Sequence, residues 1–175
     1  GDFKFGMFNG KGSLTFANGC RFEGEFADNE EVSGTFTYPD ARQYKGEFRN
    51  SKFHGQGELT LPDGSTYVGS FCNGFKHGKG IRRFKNGDVY QGNYNNDTYN
   101  GKGRYTHAEG EYYEGDFLDG LKKGKGIFVY PDGEVYDGEW DDEQGGMHGK
   151  GSLKSTTGKV YTGSFVKDMK HGLGR

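Results

Sequence analysis

The stretch Tyr44–Thr66, "YKGEFRNSKFHGQGELTLPDGST", carries the pattern that decides the fold. Counted from Tyr44, positions 1, 3 and 5 are Tyr, Gly and Phe, and positions 14, 16 and 18 are Gly, Leu and Leu. Each set has the two-residue period of a strand with one buried face. The PDG at positions 19–21 is a turn signal. The stretch therefore predicts one antiparallel β-hairpin with an aromatic face.

The same pattern recurs along the chain, and most copies lie 23 residues apart. Repeats begin near residues 22, 44, 67, 90, 113, 136 and 161, with shortened copies at both ends, and position 3 is glycine from Gly1 to Gly163. Because regular repetition is typical of solenoids and arrays, we predict a single array over residues 1–175. The chain lacks an initiator Met and starts and stops inside a repeat, so we expect a fragment of a longer protein. The aromatic residues at position 5 are Phe3, Phe26, Phe48, Phe71, Tyr94, Phe117, Trp140 and Phe165.

The tetrad HGKG at His77–Gly80 would suggest a phosphate-binding loop if it stood alone. A nucleotide loop has no reason to recur in every repeat, so we interpret the tetrad as the start of each hairpin's second strand. Its glycines would make room for aromatic rings and allow a tight turn. The related tetrads begin at Asn9, His54, Asn100, Lys123, His148 and His171.

We predict that the two strands of a hairpin pair so that their positions add up to 17. Tyr44 then faces Leu59, and Phe48 faces Gly55, which leaves room for the ring. The same rule places the acid of position 4 beside the lysine of position 13, in exposed pairs worth about 0.2–1 kcal/mol each. Trp140 is expected to pack against a glycine of its own hairpin. The predicted pairs are Asp2–Lys11, Asp116–Lys125, and Trp140 with Gly149 or Gly151.

Two repeats depart from the pattern. Residues 22–43 are one residue short and have Val32 and Ala41 where glycines are expected. Residues 136–160 carry a two-residue insertion around Gln144–Met147. Such irregular repeats can mark a change of curvature or a partner site, and neutral sequence drift explains them equally well.

The composition sets limits on the function. Only 30% of the 175 residues are hydrophobic, but 16% are aromatic and 34 are glycine, which favours regular β-structure over a disordered linker. A net charge of -2 gives no indication of nucleic-acid binding. Cys20 and Cys72 stand at different repeat positions, so we predict no disulfide framework and a cytoplasmic, reducing environment.

The repeat resembles the MORN (membrane occupation and recognition nexus) repeat, whose pattern is roughly YxGxW/F, a loop, H/NGxGxhxh and D/NG. The match extends over essentially the whole chain. The resemblance implies an all-β fold: an elongated, single-layer, twisted antiparallel sheet of stacked β-hairpins. MORN arrays occur in membrane-contact tethers, cytoskeletal scaffolds, radial-spoke heads and phosphoinositide kinases, and before SET domains. The resemblance therefore implies that this chain is an interaction or assembly module and that any catalysis belongs to a separate domain.

The favoured function is a non-catalytic scaffold that binds protein partners and self-associates in a cytoskeletal or membrane-associated assembly. Apolar residues of the hairpin loops are the candidate contacts, either along one rim of the sheet or folded back over the aromatic layer. We predict a homodimer through the C-terminal repeats, with the apolar N-terminal end (Phe3, Phe5 and Phe8) as the competing interface. The candidate contacts are Phe53, Phe75, Tyr99, Leu121, Met147 and Met169.

Two alternatives remain: a phosphoinositide-binding or tethering module, and the regulatory region of a larger enzyme. For the first, the basic residues are the candidate headgroup ligands, with a solvated charged face as the simpler explanation. Catalysis and cofactor binding are not expected. Tetrad histidines on neighbouring hairpins would be roughly 9–10 Å apart, too far to share one zinc ion. The basic candidates are Arg82, Arg83, Lys85, Lys122 and Lys123.

Overall fold

The structure, a computed structural model, describes residues 2–4 and 6–175, and of residues 3 and 4 only the backbone. Gly1 and Phe5, and the side chain of Phe3, therefore lie outside the described residues. One short 3₁₀-helix, Asp142–Gln144, interrupts a chain built of strands. The predicted all-β, antiparallel stack of hairpins is confirmed.

Among the described residues, two strands pair with each other near the N-terminus, and fifteen more form one antiparallel sheet in chain order. The described chain divides into two compact units, an N-terminal unit (residues 1–85 and 95–97) and a C-terminal unit (residues 86–94 and 98–175). Each unit is described by itself below. The strands are β1 (Phe3–Lys4), β2 (Met7–Phe8), β3 (Gly10–Thr15), β4 (Arg21–Ala27), β5 (Glu30–Thr37), β6 (Gln43–Arg49), β7 (Lys52–Thr60), β8 (Thr66–Cys72), β9 (Phe75–Arg83), β10 (Val89–Asn95), β11 (Thr98–Thr106), β12 (Tyr112–Leu118), β13 (Leu121–Val129), β14 (Val135–Asp141), β15 (Gly146–Lys154), β16 (Val160–Val166) and β17 (Met169–Gly174).

The position-1 ring lies flat over the two glycines of its own hairpin. Tyr44 is fully buried, and a Cβ on Gly57 would stand 2.5 Å from its ring. The Tyr44 hydroxyl donates a hydrogen bond to the backbone oxygen of Glu47 at 2.8 Å. The same arrangement recurs in the later hairpins with Tyr67, Tyr90, Tyr113, Tyr136 and Tyr161. Glycine is required at position 14 because the tyrosine ring occupies the space of a side chain, and at position 3 because the backbone of the facing strand and the tyrosine hydroxyl occupy it.

The hairpin register agrees with the prediction only in its first half. Tyr44 faces Leu59 as predicted, but beyond the glycine pair the register shifts, and Phe48 faces Phe53 instead of Gly55. The cause is a bulge at Gly55, whose backbone φ is +59°. Gly55 still lies opposite an aromatic residue, but this is Phe71 of the following hairpin.

The bulge also explains why Asp116 does not form the predicted ion pair with Lys125, whereas Asp2 does lie beside Lys11 as predicted. The bulge leaves a backbone N–H without a partner across the strand, and the acid of position 4 accepts it. Asp116 accepts the backbone N–H of Lys125 at 3.3 Å and forms its ion pair with Lys102 of the preceding hairpin at 2.8 Å. Asp2 bonds Lys11 through its backbone N–H, at 3.4 Å.

Position-5 rings fill the layer between successive position-1 rings. Phe71 stands edge-on to both Tyr44 and Tyr67, with ring centroids 5.1 Å apart in each case. Trp140 is buried as predicted, but its glycine partners belong to the preceding hairpin. It faces Gly124 across the strands, and its indole N–H donates to the backbone oxygen of Gly126 at 2.9 Å. The predicted partners are used elsewhere: Gly149 faces Phe165, and Gly151 lies under Tyr136.

The irregular repeats change the bulge and the turns, not the strand order. In residues 22–43 the register shifts by one residue, where residues 44–66 shift by two. Ala41 takes a φ of +69° at the turn position that Gly64 fills in the next repeat. In residues 136–160 the insertion forms the 3₁₀-helix at the hairpin tip.

Candidate interaction surface on the aromatic face

The side chain of position 10, which follows the tip of the hairpin, packs on the position-1 ring. Phe53 stacks on Tyr44 with centroids 3.8 Å apart and planes at 10°, and Tyr99 stacks on Tyr90 in the same way. In hairpins 67–89, 113–135 and 161–175 a lysine ammonium takes this place. Lys76, for example, lies 5.6 Å from the ring centroid of Tyr67. Apolar and charged residues thus alternate at position 10: Phe8, Glu31, Phe53, Lys76, Tyr99, Lys122, Met147 and Lys170.

This alternation divides the six predicted contacts between the two faces of the sheet. Phe53 and Tyr99 are half-buried on the aromatic face, and Met147 is buried there. The other three stand at position 9, and because successive side chains of a strand point to opposite faces, they belong to the opposite face. Among the described residues, the six predicted contacts are therefore divided between the two faces and do not lie on one of them. The exposed fractions of these three are 49% for Phe75, 40% for Leu121 and 67% for Met169.

A second row of rings, at positions 16 and 18, lies towards the other end of the aromatic face. These rings contact each other along a strand, as with Phe36 and Tyr38 (centroids 4.9 Å apart) and Phe128 and Tyr130 (4.6 Å). All four are half-buried. The sequence pattern identifies these positions as apolar but does not predict a site there, because the two-residue period of a strand does not distinguish a covered side chain from a half-exposed one. We call positions 1, 5, 10, 16 and 18 together the aromatic face.

Acidic side chains border this second row in the C-terminal unit. Asp88 is only 7% exposed and accepts hydrogen bonds from the Tyr105 hydroxyl at 2.7 Å and the Ala108 backbone N–H at 2.9 Å. His107 Nδ1 lies 3.6 Å from the same carboxylate. The hydrogen bond from Tyr105 holds the pKa of Asp88 below its ordinary value. Glu111 occupies the same repeat position one hairpin later, and its Oε2 is buried without a hydrogen-bond partner among the described residues.

The pattern of the repeat is matched by a family model. The model of the MORN repeat matches eight consecutive segments: residues 1–21, 22–40, 44–66, 67–89, 90–112, 113–135, 136–160 and 161–175. The chain belongs to the MORN-repeat family. This confirms the resemblance seen in the sequence.

Solved structures with some likeness to this MORN array are remote in sequence. The TCP domain of SAS-4 (dCPAP) of Drosophila melanogaster, solved with a proline-rich motif of Ana2 (dSTIL), has 10% identity over 90% of this chain and 79% of that chain, with a TM-score of 0.48. The G-box domain of the microcephaly protein CPAP has 18% identity over 89% of this chain and 93% of that chain, with a TM-score of 0.43. Both scores are low, and no function is transferred from either domain. No curated protein matches the sequence.

The basic residues proposed for lipid headgroups are dispersed in the MORN array. The Arg82 guanidinium lies 4.3 Å from the centroid of the Phe84 ring, while Arg83, the next residue, points to the opposite face. Lys122 is held by Asp142 at 3.7 Å. The Lys123 ammonium bonds Asp141 at 2.9 Å and Glu143 at 2.8 Å, and the Asp141 hydrogen bond is the main cause of its raised pKa. Lys85 is exposed beyond β9.

Within residues 2–4 and 6–175, no three His, Cys, Asp or Glu side chains are grouped as metal ligands. The described residues also contain no helix with the length and apolar character needed to cross a bilayer. Cys20 and Cys72 are free thiols. The tetrad histidines each belong to a different hairpin: His54, His77, His148 and His171.

Proposed function

We propose that this MORN array is a non-catalytic scaffold module that binds segments of partner proteins across its aromatic face, within a cytoskeletal or membrane-associated assembly. The observation that carries the proposal is the difference between the two rows of rings. Position-1 rings such as Tyr44 and Tyr90 are fully buried and are used by the fold. The second row, with Phe36 and Phe128, is half-open, and a partner would bury the remaining ring surface.

The chemistry of the tyrosine hydroxyls supports a structural role in preference to catalysis. Burial raises the pKa of Tyr67 to about 12 and the pKa of Tyr136 to about 12. Each hydroxyl donates to a backbone oxygen of its own hairpin, at 2.9 Å in both cases. The groups with the largest pKa shifts are thus committed to the fold, and none of them is poised for proton transfer near neutral pH.

Adjacent residues with side chains on opposite faces provide the test. Short random peptides displayed on phage would be selected against the whole chain, and their affinities measured for Phe128→Ser and for its neighbour Ile127→Ser. Ile127 is 39% exposed on the opposite face, so it is a matched control. We expect Phe128→Ser to weaken binding by about tenfold or more and Ile127→Ser to have no effect. Failure to enrich peptides, or peptides that bind Phe128→Ser as tightly as the wild type, would contradict the proposal.

Self-association through the C-terminal repeats is a second proposal, favoured by Met169. Its side chain is 67% exposed at a hairpin tip and faces Val166 across the strands, which gives an apolar pair that a second copy could cover. Met147 contributes no open surface because it is buried. We expect Met169→Glu to reduce a dimer mass to the monomer mass in light scattering over a concentration series. A monomeric wild type, or a dimer that survives Met169→Glu, would contradict this proposal.

A further inference from the structure

Glu111 stands where the preceding hairpin has a fully partnered acid. Asp88 lies opposite His107 in the following hairpin and receives one hydrogen bond from the Tyr105 hydroxyl and one from the Ala108 backbone. These two donors occupy positions 16 and 19 of that hairpin. The carboxylate is therefore satisfied within the chain, as buried acids require.

The next hairpin lacks both donors. The strands of β12 and β13 pair Tyr112 with Val129, and continuing that register by one residue places Glu111 opposite Tyr130. Position 16 is now Phe128, which has no hydroxyl, and position 19 is Pro131, which has no backbone N–H. The orphaned, buried Oε2 of Glu111 follows directly from these two differences in sequence.

The N-terminal unit shows which group fits on a position-18 tyrosine. The Arg42 guanidinium lies 4.3 Å from the centroid of the Tyr38 ring and forms an ion pair with Asp40 at 2.8 Å. Tyr38 accepts this cation on its face while its backbone N–H bonds the Arg42 oxygen at 2.9 Å. A planar guanidinium on an aromatic ring beside a carboxylate is a favourable arrangement because it combines ring and ion contacts.

The equivalent place beside Tyr130 carries acids in place of the arginine. The Tyr130 backbone N–H bonds the oxygen of Glu134 at 2.9 Å, so Glu134 is the counterpart of Arg42. Glu111 lies opposite on the other side, where Cys20 lies opposite Tyr38. A half-buried ring is thus flanked by two carboxylates, and one of them has a buried oxygen without a donor. Lys122, which also lies near Phe128, is held by Asp142.

We infer that Phe128, Tyr130, Glu111 and Glu134 form an anchor site for an arginine side chain of a partner protein. The inference rests on the proposed function, because the partner segment must lie on the aromatic face. The plane of the guanidinium covers the half-open Tyr130 ring as Arg42 covers Tyr38, and its charge lies between the carboxylates of Glu111 and Glu134. Charge complementarity selects this occupant, since both carboxylates need a cation and the rings need a flat apolar contact.

The test compares peptides selected by the wild type and by Glu111→Gln, which keeps the shape and removes the charge. Wild-type binders are expected to share one arginine at a fixed position, and Glu111→Gln should weaken them by about tenfold or more. Replacing that arginine by citrulline, the neutral isostere, should weaken binding to the wild type and have little effect on Glu111→Gln. Glu109→Gln, which removes an exposed charge two residues away, is the control and should leave the affinity unchanged.

A second variant supplies the cation from within the chain. Glu134→Arg reproduces the residue found beside Tyr38 and should block the site, so that arginine peptides lose affinity while the thermal unfolding midpoint is maintained or raised. Peptides without a shared basic residue that bind Glu111→Gln normally but fail on Phe128→Ser would overturn the anchor site and leave the proposed function intact. Peptides insensitive to Phe128→Ser would overturn both.

Discussion

Hairpins 44–66 and 67–89 share the same floor, a tyrosine over two glycines, but differ in what lies on it. In the first, Phe53 stacks on the tyrosine with ring centroids 3.8 Å apart. In the second, Lys76 places its ammonium 5.6 Å from the ring centroid. The face of a tyrosine ring is electron-rich, so a stacked aromatic ring and a cation above it stabilise the hairpin by similar amounts. The fold therefore fixes the floor, that is, the position-1 tyrosine and its two glycines, while the position-10 residue that covers the tyrosine can vary.

The apolar residue of the tip changes face when the lysine takes position 10. Hairpin 44–66 has Lys52 followed by Phe53, and hairpin 67–89 has Phe75 followed by Lys76. Lys76 is also fixed by Asp97, 3.0 Å away. The exchange places an exposed apolar residue on the opposite face of these hairpins: Phe75, Leu121 or Met169. The two faces therefore differ in kind, because within each unit one face carries the ring layer and the other carries isolated apolar tips.

The largest loss of stability is expected when a buried position-5 ring is removed, because hairpins with an aromatic residue and hairpins with a lysine at position 10 both pack around such rings. Trp140→Ala removes a buried position-5 ring together with its hydrogen bond to Gly126, and we expect a loss of about 3–5 kcal/mol in the free energy of unfolding. Urea denaturation followed by circular dichroism measures it. Leu118→Ala, at a side chain 49% exposed, is the control and should change stability by less than about 0.5 kcal/mol. Equal stability of Trp140→Ala and wild type would show that the ring is not part of the layer.

The floor glycines should be equally sensitive in both hairpins. Gly57→Ala and Gly80→Ala each place a methyl group against the floor tyrosine, and we expect each to cost about 1–3 kcal/mol in unfolding free energy. A double-mutant cycle with Tyr44→Ala sharpens the test, because Gly57→Ala should cost much less once the ring is absent. An unchanged cost in the Tyr44→Ala background would mean that the glycine serves another purpose.

A smaller and favourable effect is expected at the irregular repeat. Ala41 has a φ of +69°, where the regular repeat has Gly64. Ala41→Gly should therefore stabilise the chain, by about 0.5–1 kcal/mol, because glycine adopts this backbone conformation without strain. Gly64→Ala, with open space around the new methyl group, should destabilise it through the backbone alone. A loss of stability in Ala41→Gly would contradict the strain argument.

The smallest effect tests the comparison itself. If the floor accepts a ring or a cation alike, Phe53→Lys and Lys76→Phe should each change the unfolding free energy by less than about 1 kcal/mol. Thermal melts at low and high salt would separate the two contributions, since only the lysine variant should weaken with salt. A loss of more than about 2 kcal/mol for either exchange would show that the tips are not interchangeable.

The sequence was sufficient for the hairpins, the aromatic layer and the glycines beneath it, because all three follow from the two-residue period of the strands. It was not sufficient for the register beyond Gly55, since a positive φ at one glycine shifts every later pair and leaves the period unchanged. The predicted contact residues lie on two faces because Phe53 stands at repeat position 10 and Phe75 at repeat position 9, and neighbouring positions of a strand point to opposite faces. Glu111 was missed because its importance lies in the donors that Phe128 and Pro131 fail to supply one hairpin later.

The most direct test of the account is to locate a selected peptide by methyl NMR on the whole chain. Leu59, Leu61 and Leu153 carry methyl groups on the aromatic face, and Leu153 is the one near Phe128, since both face Tyr136 across the strands. Val68 and Ile127 carry exposed methyl groups on the opposite face, at 51% and 39% exposure. We expect intermolecular NOEs and shift changes at leucines of the aromatic face and none at Val68 or Ile127. NOEs to Val68 and Ile127, with the aromatic-face methyl groups unchanged, would contradict the claim that this MORN array binds its partners through its ring layer.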